Sequence, residues 1–125
     1  MKNEHTVLYQ LTETSPFMMS FVVVTKQNNA IIIDGGMEAD MPPLKKYVGN
    51  RHVSAWILTH AHSDHIDGFV SEMRKNGGKD FDIEKIYYNF PPYRLIEKHD
   101  VPDYDYFKSE LDEMLPAFNE VLPLF

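Results

Sequence analysis

The 125-residue chain has no cysteine, which excludes disulfides, thiolate metal sites and cysteine nucleophiles together. Any metal it holds must be bound by nitrogen and oxygen. Basic side chains are in deficit, 12 Lys and Arg against 19 Asp and Glu for a formal charge of -7. There is thus no broad electropositive surface to neutralise nucleic-acid phosphates, although a bound cation would attract phosphate locally. No apolar run approaches the ~20 residues of a membrane span. The start, Met1-Lys2-Asn3-Glu4-His5, leads into no signal-peptide apolar region, so a soluble cytoplasmic location is the default. Internal repeats and low-complexity linkers are also missing.

What is present suits one compact domain, because 43% hydrophobic residues with 13% aromatics can build a core. Val7 to Leu11 reads as a strand, as does the β-branched and aromatic run Phe21 to Thr25. Lys26-Gln27-Asn28-Asn29 separates the latter from Ala30 to Ile33, which predicts a hairpin ending in Asp34-Gly35-Gly36. Pro42 and Pro43 open a short helix through Val48, stopped by Gly49. Ser54 to Leu58 is apolar enough to predict a strand buried on both faces.

Ile66, Phe69, Val70 and Met73 recur at helical spacing before Gly77-Gly78. Ile83 to Phe90 predicts another strand. Phe107, Leu111, Leu115, Phe118 and Leu122 trace a helix face that Pro116 should kink or divide. The order of elements is an α/β pattern. The apolar ending Val121 to Phe125 suggests the N-terminal part of something longer.

The chemistry concentrates in His60-Ala61-His62-Ser63-Asp64-His65, directly after the apolar strand. Imidazole and carboxylate together suit zinc and its first-row neighbours. His60 and His62, two apart in extended chain, project to one side. Asp64 and His65, where strand turns to helix, can aim at a second position, as in two-metal sites that clamp a scissile bond.

With its surroundings, Trp56 to Gly68, this run resembles the His-x-His-x-Asp-His signature of the metallo-β-lactamase-fold hydrolases, including the Thr before it and the Gly after it. Ile31 to Gly36 is similar to the family's earlier strand ending in Asp-Gly. The resemblance runs over about the first 90 residues. Its best local likeness is to the branch that includes the hydrolase domain of the bacterial competence protein that moves DNA across the membrane.

The resemblance implies a four-layer αββα sandwich, of which residues 1–125 would be only the N-terminal half, truncated at the C-terminal end. It implies that His60 and His62 bind a first ion, and Asp64 and His65 a second, with Asp34 behind them. The ions would be zinc, with iron or manganese also compatible. A metal-bound hydroxide would attack an ester, phosphodiester or amide-like bond of a small-molecule or phosphodiester substrate, with Asp64 as the catalytic carboxylate. Complete members add further ligands downstream that have no counterpart here; His99 comes too soon after the signature.

Two alternatives stand beside this reading: an incomplete or degenerate metal-binding domain without activity, and an iron enzyme of redox or sulfur chemistry. A missing half would also leave an apolar sheet face uncovered and favour self-association. Elsewhere the plainer readings are preferred. Asp34 reads as a strand-ending acceptor for its own Asp-Gly-Gly turn, Asp67 as a solvated first-turn acid, and His5, His52 and His99 as surface residues. Tyr87, Tyr88, Phe90 and Tyr93 read as core packing, and Asp100, Asp103, Asp105, Glu110, Asp112 and Glu113 as a solvated acidic face.

Overall fold

The computed structural model describes residues 2–90 and 103–125. Strands β1 (Val7–Gln10), β2 (Ser20–Val24) and β3 (Ala30–Asp34) form an antiparallel meander. Helix α1 (Met41–Val48) crosses to β4 (His52–Leu58), which pairs parallel with β3. Helix α2 (Ser63–Asn76) then leads to β5 (Asp82–Ile83) and β6 (Ile86–Tyr88), both parallel to β4. Helix α3 is Tyr104–Val121. The result is the mixed α/β architecture expected. His99, Asp100 and Tyr93 lie outside the described residues.

Alternation along the strands decides which face is covered. Val22, Val24, Ala30, Ile32, Val53, Trp56 and Leu58 are buried beneath the helices. Trp56 anchors that layer, its ring edge-on to Phe69 of α2 and to Phe81, each 5.1 Å away. Helix α2 lays Ile66, Phe69, Val70 and Met73 on the sheet, each worth about 1.5–3 kcal/mol of burial. It ends where Gly77, with a left-handed φ of 58°, returns its N–H to the Met73 carbonyl.

The opposite face departs from expectation. Phe21, Val23, Ile31, Ile33, Ala55 and Ile57 are only half-buried, and register aligns Phe21 with Ile33 and Ile33 with Ile57. β4 is therefore buried on one face, not both. Its apolar run meets an outer surface on which no described helix packs.

Two further boundaries differ. The run Ile83 to Phe90 is two short strands, because Glu84 and Lys85 leave the ladder yet stay bound to Val53 and Trp56. Pro116 does not divide α3, since losing one N–H costs less than the face that Leu111, Met114, Phe118 and Val121 bury. Phe90 packs against Phe118 at 5.0 Å, as the core reading predicts. Tyr88 meets the same ring at 4.8 Å, but both it and Tyr87 lie exposed, against that reading.

Candidate metal centre

β3 and β4 run parallel and end side by side, and the two loops beyond them form the site. This is the carboxyl end of the strands, where open α/β sheets place their ligands. The first loop turns sharply. Asp34 has a φ of 58°, uncommon for a residue with a side chain, and Gly35-Gly36 then passes beneath α2. Gly68 makes that crossing feasible, because its N–H donates to the Gly36 carbonyl at 2.9 Å. A Cβ at Gly68 would lie 2.5 Å from Met41 Cε and 2.9 Å from the Gly35 carbonyl oxygen. The glycine after the signature thus holds helix α2 on the Asp-Gly-Gly turn.

Asp34 is the hub of the site. Buried at 1% exposure, its carboxylate accepts the Thr59 N–H at 2.8 Å, the Thr59 hydroxyl at 2.7 Å and His65 Nδ1 at 2.8 Å. Carboxylate oxygens only accept, so His65 Nδ1 carries a proton and leaves Nε2 with its lone pair. The single Thr59 hydroxyl proton goes to Asp34. The hydroxyl oxygen, 2.9 Å from His60 Nδ1, therefore accepts from that ring. His60 is left in the same tautomer. Asp34 thus serves the neighbouring loop, as the family resemblance implied, and not merely its own turn.

The three imidazoles come together. The His60 ring centroid lies 3.8 Å from that of His65 and 4.7 Å from that of His62. Burial lowers the pKa of His60, and the neighbouring His65 and His62 lower it further, favouring the neutral form that ligates metals. His62 Nε2 and Asp64 Oδ1 are buried without any hydrogen-bond partner. His65 Nε2 lies 3.8 Å from Asp64 Oδ1, too long for a hydrogen bond. Such orphaned buried polar atoms are costly unless something else engages them.

The donor chemistry and the orphaned atoms fit a divalent cation. Among the described residues, however, no three His, Asp or Glu side chains already stand as a group that could hold one. The rings of His60 and His65 lie against one another instead.

Other candidates fall away from the centre. Asp67 accepts the Glu38 N–H at 2.9 Å in an exposed hydrogen bond and bonds no histidine among the described residues. His52 bonds Asp82 and Glu84 at the other end of β4. Sequence reasoning missed Glu110, assigned to a solvated face. Its Oε2 accepts the Ser63 N–H at 2.8 Å. Phe107 and Tyr106 from the same helix lie 4.7 and 6.2 Å from the His62 ring. Glu110, then partial burial and Asp64, raise the Tyr106 pKa.

A strand-borne histidine cluster, a buried aspartate behind it and a glycine-pinned helix after it define a class, and the family comparison agrees. The chain belongs to the metallo-beta-lactamase superfamily, whose family model matches residues 16–115. No curated protein and no solved structure matches it. Membership suggests a metal-dependent hydrolase in general terms. No described helix is long and apolar enough to cross a membrane.

Proposed function

We propose that the chain carries the metal-binding wall of a hydrolase acting on an ester, phosphodiester or amide-like bond. The observation that carries the reading is the Asp34–Thr59 network. It sets His60 and His65 in one tautomer, each with a free Nε2, beside the orphaned His62 Nε2 and Asp64 Oδ1. His60 and His62 would hold one divalent ion, and Asp64 and His65 a second. Zinc is the preferred ion, and iron or manganese suits the same donors. When bound, such an ion supplies Lewis acidity and lowers the pKa of coordinated water to about 7.

The chain's own contribution is positioning. Asp34 holds the His65 ring through Nδ1 and steadies His60 through Thr59, an arrangement typical of ligating histidines. Asp64 would orient the attacking water or accept its proton.

Metal analysis of the purified protein beside His60→Ala and Asp64→Ala tests the site. Metal in the parent and its loss in both variants is expected, and equal content in all three would sink the assignment. Hydrolysis of a generic phosphodiester and a chromogenic lactam then tests catalysis. Stoichiometric metal without turnover would favour the non-catalytic alternative.

A further inference from the structure

Helix α2 begins with an unusual cap. Its N-cap position is His62, whose side chain makes no capping hydrogen bond. Ser, Thr, Asp and Asn are the residues that normally satisfy the first free N–H groups. A histidine committed to a metal cannot do so. The missing acceptor comes from another helix 47 residues downstream, where Glu110 Oε2 takes the Ser63 N–H at 2.8 Å.

His62 differs from the other two histidines in a second way. His60 and His65 are oriented by hydrogen bonds to Thr59 and Asp34. None of the hydrogen bonds among the described residues reaches the His62 ring; it meets Phe107 edge-on at 4.7 Å and 68°. Phe107 and Glu110 are three apart on α3, hence on one face, and Leu111 beside them is buried in the core. One helix face therefore supplies both the packing of the His62 ring and the anchor of the backbone between His62 and Asp64.

We propose that Glu110 and Phe107 are positioning residues that set His62 and Asp64, so that these two side chains of α3 tune the affinity of the site for a divalent cation. The inference rests on the metal reading above. It makes α3 a support for the two donors that the Asp34 network does not reach.

The test is a titration of metal-free protein with Co2+, followed by visible absorption, with the thermal midpoint of each metal-free variant recorded alongside. Glu110→Ala and Phe107→Ala are each expected to weaken Co2+ binding about tenfold, the scale of lost outer partners. Glu110→Gln should restore most of the affinity, because an amide oxygen still accepts the Ser63 N–H. Leu111→Ala, which removes core packing of the same helix but neither the Phe107 ring contact nor the Glu110 bond to Ser63, should lower the midpoint while leaving Co2+ affinity unchanged well below it.

Parental affinity in Glu110→Ala and Phe107→Ala would overturn the proposal, as would a Leu111→Ala protein equally weakened for Co2+. A Glu110→Gln protein as weak as Glu110→Ala would overturn the capping role. The metal reading fails separately: a parent that binds no Co2+, or a His60→Ala protein that binds as the parent does, removes both.

Discussion

The parallel strands of this chain have a polar cluster at each end, and the two are built on opposite principles. At the amino end every described group is satisfied. Lys45 Nζ sits 2.9 Å from the buried Glu72 carboxylate and 2.7 Å from Asp80, with its ammonium over the Phe81 ring. Nearby, His52 donates to Asp82 at 2.8 Å and Glu84 at 3.0 Å. At the carboxyl end, three imidazoles crowd together and two buried atoms go unpaired beside a strained Asp34. Satisfied polar groups hold a fold, whereas unsatisfied ones held in place by others are poised for a ligand.

The contrast breaks most easily at the satisfied end. Lys45→Met keeps the stem over Phe81 but removes the charge opposite Glu72. It should destabilise the protein by about 2–4 kcal/mol, somewhat less than for a fully buried pair because Lys45 is partly exposed. Urea denaturation measures this, and metal affinity well below the transition should not change. Next in size is Gly68→Ala, where the added methyl meets Met41 and the Gly35 carbonyl. A cost of about 1–3 kcal/mol is expected from overpacking, with metal affinity falling too as α2 lifts from the Asp-Gly-Gly turn.

The carboxyl end should respond in the reverse sense. Asp64→Ala removes an orphaned buried acceptor, so the metal-free protein should keep its stability or gain up to about 1 kcal/mol. Metal binding should be lost at the same time. A loss above roughly 1 kcal/mol in the metal-free state would show that Asp64 is structural and blur the comparison.

The smallest effect is on pH. Its two carboxylate partners raise the folded-state pKa of His52 above the ordinary 6.5. A raised pKa means the protonated form is favoured on folding, so this stabilisation is fully present below about 6.5 and is lost as pH climbs through the higher folded value. His52→Gln should flatten that part of the stability profile above pH 6.5. Added salt should do so partly in the parent, since the group is exposed.

The same contrast explains what sequence reading could reach. Strong local patterns came through: the Phe21 to Ile33 hairpin, the α2 stripe of Ile66, Phe69, Val70 and Met73, and the histidine run after β4 are all found as elements or neighbours. Each depends on residues close together in the chain. Long-range partners did not come through. Its neighbours in the chain match Asp34 only to its own turn, and the family resemblance alone put it behind the ligands; it serves Thr59 and His65 because the parallel pairing of β3 with β4 brings those loops together.

Glu110 looked like one more surface acid, and nothing within a few residues marks it as the cap of α2. β4 looked doubly buried since Ala55 and Ile57 are as apolar as Trp56 and Leu58. Composition alone does not say whether the second face has a cover.

The central claim is that His60, His62, Asp64 and His65 hold a divalent cation. Calorimetric titration of Zn2+ into metal-free protein, run in parallel with Asp64→Ala and His60→Ala, tests it most directly. Saturable binding is expected in the parent and at least tenfold weaker binding in each variant, the scale for even outer partners of a metal site. The same binding curve in all three proteins, or none in the parent, would contradict it.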